Sequence, residues 1–276
     1  MRGTVPRRPS SSRHVGMNRI GTAVLLALAL ATAAPDARAG DGSAINVLGF
    51  SADGRYFAFE QYGEQNGSGS LYSTITAIEI ADDRLAKGMP MAAIMDPDNP
   101  NLGKEPRDKQ LADIRAKAAA DAAPMLSQLG IAGAGQMVIS VRDSRARSIL
   151  QPGEVKAAQK AVVTAVTLPA DRFGPDTRLV LREFDIALPR CKDLVSGGHP
   201  NGFGLTLERK GRPTIHLRRD QTIPVARGCP EKYGVAETHA HPLPDGSTAL
   251  AVIIQYFYTG FEGPDRRFIV VTGRVR

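Results

Sequence analysis

Apolar positions between residues 44 and 81 fall in three short blocks, Ala44–Phe50, Arg55–Tyr62 and Leu71–Ala81. Each is rich in β-branched and aromatic side chains such as Val47, Phe57, Phe59, Ile75, Ile78 and Ile80, the composition of strands. Ser51-Ala52-Asp53-Gly54 supplies a tight turn between the first two, and Gly63–Ser70 a flexible connection to the third. Side chains alternate across a strand, so Phe57 and Phe59 share one face while Tyr56, Ala58 and Tyr62 share the other. Both faces are apolar, which predicts a strand covered on two sides.

Residues 83–105 lose this periodicity and hold Pro90, Pro97 and Pro100, so they read as a linker. A helix follows. Pro106 suits its start, and Leu111, Ile114, Ala118 and Ala122 recur at three- and four-residue steps. Pro124 should kink or stop it, and Gly130 ends what continues. Met137–Val141 reads as a strand and Glu154–Ala161 as a short helix. Strand patterns then return at Val162–Leu168, Arg178–Ala187, Phe203–Arg209, Thr214–Arg218 and Tyr233–His241. A final hairpin pairs Thr248–Thr259 with Arg267–Val275.

The pattern as a whole predicts a mainly β (α+β) protein of antiparallel meander sheets with a helical insertion near 106–129. Asp-Gly turns such as Asp53-Gly54 and Asp245-Gly246 introduce apolar strands, giving hairpins like those of propeller blades. A small β-propeller is therefore the alternative. No repeat at the roughly 40–50-residue period of propellers supports it.

The first 39 residues change the reading of charge. Arg19 precedes an apolar stretch from Ile20 to Ala34, and Ala37-Arg38-Ala39 before Gly40 is a small-residue cleavage site. This is the pattern of a secretory leader, too short to span a bilayer, with Met17 a possible true start. Arg7-Arg8 lacks a twin-arginine context, and no cysteine at the cleavage site invites lipid anchoring. The expected mature chain, 40–276, is a single β-rich domain with no further spanning segment. The whole chain carries 35 basic and 28 acidic side chains, net +7, but the leader holds six arginines and one aspartate. The mature part keeps 29 and 27, net +2. Nucleic acid is thus not an expected partner.

Export also bears on the two cysteines, Cys191 and Cys229. An oxidising compartment favours a bridge between them, the alternative being two buried thiols. Closing a loop of this length stabilises by about 4 kcal/mol in the chain-entropy model.

Four stretches together carry a family resemblance. They are Phe50–Phe59, Gly202-Phe203-x-Leu205-x-Leu207, Arg227-Gly228-Cys229-Pro230 with Tyr233, and Gly260-Phe261-Glu262-Gly263-Pro264-Asp265-Arg266-Arg267-Phe268. In this order they resemble the bacterial predicted secreted protein family catalogued as domain of unknown function 2259. The resemblance implies export, one domain and no assigned activity. It also implies a serine just before the Arg-Gly-Cys-Pro run, where this chain has Ala226.

Candidate chemistry is sparse. Glu237, His239 and His241 alternate along a predicted strand and would share a face, as ligands of a catalytic zinc do. His199 or His216 would complete the set, whereas a solvated strand edge gives the same pattern. Asp96-Pro97-Asp98-Asn99-Pro100-Asn101 lacks the glycine and glutamate of a calcium loop and reads as linker. Arg266 and Arg267 suit either an anion site or a charged hairpin turn. Arg209, Lys210, Arg212, Arg218 and Arg219 bracket another turn without interleaved aromatics. No nucleophile elbow, Walker or dinucleotide motif occurs, and no cofactor is implied. The preferred reading is an exported, soluble, periplasmic or secreted protein, a non-enzymatic binding or envelope-associated module for an envelope partner or small ligand. A metal-dependent hydrolase using Glu237, His239 and His241 is the alternative.

Overall fold

The computed structural model describes residues 42–65, 68–96, 104–140, 163–195, 198–260 and 264–276. The leader, Met17, the Ala39-Gly40 cleavage site, the short helix at Glu154–Ala161 and most of the calcium-like stretch lie outside these residues. The described residues form fourteen strands in three antiparallel sheets.

Sheet 1 contains β1 (Ala44–Ser51), β2 (Tyr56–Glu64), β3 (Leu71–Glu79), β4 (Arg84–Leu85), β5 (Met91–Ile94) and β6 (Ile131–Ala134). Its order is β4-β3-β2-β1-β6, with β5 also paired to β3. Sheet 2 is the meander β11-β10-β9-β8, built from β8 (Val163–Thr167), β9 (Arg178–Asp185), β10 (Asn201–Glu208) and β11 (Ile215–Arg219). Sheet 3 has the order β14-β13-β12-β7, from β7 (Gln136–Ser140), β12 (Pro230–Pro242), β13 (Thr248–Thr259) and β14 (Pro264–Val275). The helix α1 (Arg107–Gln128) follows β5, and a single turn, α2 (Ala170–Phe173), separates β8 from β9.

Sheet 3 is the middle layer. Along β13, Leu250, Val252, Ile254 and Tyr256 point to sheet 2 and pack with Leu179, Leu181, Phe203, Leu205 and Leu207. Ala249, Ala251 and Ile253 point the other way and pack with Phe50, Phe57, Phe59, Ile78 and Ile80 of sheet 1. That explains the unbroken apolar run of this strand, since alternation would put a polar side chain into one core or the other. Each fully buried aliphatic side chain contributes roughly 1.5–3 kcal/mol.

The outer face of sheet 1 is closed by α1. Ala118 and Ala122 are fully buried against Ile75 and Ala93, and the partly buried Met125, Leu126 and Leu129 pack against Ala58 and Ala77. The outer face of sheet 2 instead carries Arg178, Arg182, His216 and Arg219 toward solvent. One end of the stack is thus covered by a helix and the other is polar, so neither end offers the apolar face on which a propeller ring would close. The mainly β prediction with a helical insertion is realised, and the propeller alternative is not.

Local differences have physical causes. The helix runs through Pro124, because Pro124 and Ala120, whose carbonyl loses its donor, both face solvent. Beyond it the chain turns at Gly130, with φ +67°. The predicted linker contains β4 and β5, strands of two and four residues that periodicity cannot reveal. β6 and β7 lie in different sheets, joined through Gly135. A Cβ there would sit 2.3 Å from the Phe50 ring, so only glycine lets the chain cross between layers. Among the described residues no helix is long and apolar enough to cross a membrane.

An ion pair, buried at Glu60 and partly exposed at Arg115, pins α1 to sheet 1. Arg115 donates from Nε to Glu60 Oε1 at 2.7 Å and from its terminal nitrogen to Oε2 at 2.8 Å. Ser73 adds a bond at 2.9 Å, and the guanidinium lies 3.7 Å from the Tyr62 ring centroid. Burial works to raise the Glu60 pKa, but the Arg115 and Ser73 bonds outweigh it and hold the carboxyl below its ordinary value.

Replacing Arg115 by Met leaves Glu60 buried without its cation and is expected to lower unfolding free energy by about 2–3 kcal/mol. The double variant Glu60→Gln/Arg115→Met should recover part of that loss. Urea denaturation at pH 7 measures both. Because the folded pKa of Glu60 is depressed, its contribution is present above the ordinary value and fades as pH falls through the folded one. A single variant indistinguishable from the parent would refute the role given to this pair.

Candidate functional site

Glu237, His239 and His241 do share one face of β12, as alternation requires, and that face looks onto sheet 1. The pattern is not a solvated edge: Glu237 and His239 are 7% and 8% exposed. Two things bury it. β7 pairs along the outer side of β12, with Thr238 opposite Ile139 and His239 opposite Met137, and Phe50 and Phe57 of sheet 1 cover the face. His239 Nε2 meets Glu237 Oε2 at 2.9 Å. His241 goes elsewhere, donating from Nε2 to the Ala52 carbonyl at 3.0 Å and stacking on Phe50. His216 lies on β11 of sheet 2 and His199 in the loop before β10, and neither is grouped with this face. Among the described residues no three His, Cys, Asp or Glu side chains are grouped as a metal centre requires.

The Arg-Gly-Cys-Pro run builds a buried polar seam between layers. Arg227 and Asp220, each 6% exposed, pair at 2.5 Å. Asp220 also accepts from the Phe203 amide at 3.2 Å and from Arg218 at 3.3 Å, and Arg227 reaches the Tyr233 hydroxyl at 3.4 Å. Arg218 continues to Asp83 at 3.0 Å, whose other oxygen accepts from the Thr272 amide at 2.7 Å. Asp83 sits in the turn between β3 and β4 at φ +48°, so this one carboxylate contacts all three sheets. Burial raises its pKa against the opposing pull of Thr272 and Arg218.

The predicted disulfide is present. Cys191 and Cys229 are bonded, tying the 3₁₀ turn Pro189–Cys191 to the start of β12. Arg190 reinforces the tie with a bond to the Ile223 carbonyl at 2.8 Å. Ala226 is exposed on the neighbouring 3₁₀ turn Val225–Arg227, so a hydroxyl there would meet water.

Arg266 and Arg267 are engaged with the start of β1 rather than with an open anion site. Arg266 donates to the Ser43 carbonyl at 2.9 Å and Arg267 to the Ser43 hydroxyl at 3.1 Å. Arg267 also lies over the rings of Tyr72 and Tyr258, at 5.3 and 5.8 Å. Residues 261–263 of this motif are outside the described residues.

Two features carry no sequence signal. Glu183, alternating inward on β9, is 3% exposed and accepts from the Tyr233 amide at 3.2 Å and Asn201 at 3.3 Å. Burial pushes its pKa up to about 7, against the opposing pull of the Tyr233 and Asn201 donors and of Lys232. The second is an open cleft of about 580 Å³ at one end of sheet 2, bounded by Thr167, Arg178, Glu208, Arg209, Lys210 and Thr214. Only Arg209 and Lys210 of this group stood out in the sequence. Their neighbours Arg218 and Arg219 point elsewhere, one into the buried seam and the other over Phe184 at 4.6 Å.

A family model described as predicted secreted protein (DUF2259) matches residues 58–274. The match begins within β2, so β1 and most of the Phe50–Phe59 stretch precede it, while the Arg-Gly-Cys-Pro run and the final motif fall inside. No curated protein and no solved structure matches the chain.

The raised pKa of Glu183 has a definite sign. Between its unfolded value of 4.5 and about 7 the folded chain holds a proton that the unfolded chain has lost, so stability falls as pH rises through that window. Glu183→Gln is expected to flatten this dependence and to gain stability at pH 8, by up to about 3 kcal/mol. Thermal unfolding from pH 4 to 8 tests it. A variant that keeps the parent's slope would exclude Glu183 as its source.

Proposed function

The chain belongs to this family of predicted secreted proteins, and on that premise we propose that it works as a non-enzymatic binding or envelope-associated module. It acts in the periplasm or outside the cell, contacting its partner through sheet surfaces and turns. One observation carries this reading. The buried groups with catalytic potential are occupied: Glu237 with His239, Asp220 with Arg227 and Tyr233, Glu183 with backbone and amide donors. Acid–base or metal-assisted hydrolysis needs such groups within reach of substrate or of an activated water. One group of charged side chains that reach solvent, Arg178, Glu208, Arg209 and Lys210, lines the open cleft of sheet 2.

The family description names export and no reaction, and a stack of sheets is compatible with many tasks. In this reading the mature protein needs no cofactor. Its rival is a metal-dependent hydrolase built on Glu237, His239 and His241.

Protein purified from its own envelope fraction separates the two. A partner or ligand should co-purify, stoichiometric zinc should be lacking, and His239→Ala and His241→Ala should retain the partner. Stoichiometric zinc lost from both variants, together with loss of a hydrolytic activity, would overturn the proposal in favour of the hydrolase.

A further inference from the structure

We propose that the outer face of sheet 2 docks on an anionic phospholipid surface. This rests on the envelope-associated reading and names the partner.

Charge is divided between the two outer layers of the stack. Residues 42–134, which build sheet 1 and α1, hold eight basic and twelve acidic side chains, net −4. Residues 163–228, which build sheet 2 and its turns, hold eleven basic and seven acidic, net +4. The nearly neutral mature chain is therefore polarised across its layers, with sheet 3 between the poles. A molecule of this kind turns its basic pole toward an extended negative surface, an orientation that a small anion does not impose.

Strand register arranges the cations on that pole. Val163, Arg182, Gly204 and Arg219 form one row across the four strands, and Thr167, Arg178 and Glu208 form another. Gly204 leaves the backbone bare between Arg182 and Arg219, which stand two strand spacings, or about 10 Å, apart. Arg178 and Arg182 share Glu208, at 3.3 and 3.2 Å, and both stay more than half exposed. Arg219 lies over the Phe184 ring at 4.6 Å and has no carboxylate partner among the described residues. Three guanidiniums thus face one carboxylate on the sheet itself.

The turn between β10 and β11 extends the basic face with the exposed Lys210 and Arg212, and the turn before β9 offsets one charge with Asp176. Arg209 adds nothing, because it is already engaged by the carboxylate end at Arg276. Asp185, at the opposite end of β9, alternates with Glu183 to the inner side. Guanidinium forks match lipid phosphates, and each cation held within a Debye length of the bilayer adds to the attraction. Val163, 50% exposed, and Ala165 stand on the same face at the β8 edge. A bilayer interface accepts such apolar positions, whereas a soluble acidic chain makes no use of them.

The test is co-sedimentation of the full mature protein with vesicles, either phosphatidylcholine alone or phosphatidylcholine with a minority of phosphatidylglycerol. At low salt the anionic vesicles should bind at least about tenfold more protein, and about 0.5 M salt should release it. Arg182→Gln and Arg219→Gln should each weaken binding by about fivefold. Lys117→Gln, on α1 at the other pole, should leave it unchanged. Thermal unfolding checks that all three variants fold.

No binding to anionic vesicles at low salt would overturn the assignment. So would equal binding to both vesicles, or indifference to both sheet 2 substitutions. Polygalacturonate and polyglutamate, added as soluble competitors, cover the other polyanions: capture by either without vesicle binding would move the face to an acidic polysaccharide or an acidic protein. Co-purification of an envelope partner by a protein that ignores vesicles would sink the lipid surface while leaving the binding-module reading standing.

Discussion

The burial of sheet 3 on both faces is the constraint on which this molecule depends. β13 has no side for a charged residue, and its eight central residues are all buried. Sheet 1 and sheet 2 each bury an apolar face against it. The outer surfaces are then free to differ. One takes a helix, and the other takes arginines and the cleft.

Polar groups trapped between such layers must be paired, and their pairing fixes how the layers sit. Asp83 accepts from sheet 3 through Thr272 and from sheet 2 through Arg218, while Asp220, Arg227 and Tyr233 extend the chain inward. Sliding one sheet by a residue would leave a charge buried without its partner, at a cost of several kcal/mol. The net contribution of each pair to stability is small by comparison. The Cys191–Cys229 bond fastens the same seam covalently. Arg227-Gly228-Cys229-Pro230, read as a motif, is therefore a joint between sheets.

Most of the strands were legible because their apolar blocks are bounded by glycine, proline and Asp-Gly turns. β13 spans the residues its pattern predicts, Thr248–Thr259. β4, β5 and β6 were not legible, since pieces of two to four residues are defined by their partners and not by their own composition. The site was harder to read for a related reason. Alternation placed Glu237, His239 and His241 on one face correctly, but the burial of that face comes from β7 and sheet 1, which are far away in the chain. Asp83, Asp220 and Glu183 look like ordinary surface acids until their partners, up to 189 residues distant, close over them. Arg178 and Arg209 meet at the cleft because neighbouring strands of a meander end together.

The order of layers in space differs from their order along the chain. Sheet 1 and sheet 2 are drawn mainly from the earlier strands, whereas β12, β13 and β14 of the middle layer come last. Whether synthesised or threaded through a translocon, the chain delivers both outer layers before the layer that covers them. Phe50, Phe57 and Phe59, like Leu179, Leu181, Phe203 and Leu205, must wait in water until the final hairpin arrives between them. Late, long-range pairing of this kind slows folding and exposes sticky surface meanwhile. A chain truncated before β12 would keep two half-sandwiches with nothing to join them, prone to self-association and to capture by chaperones.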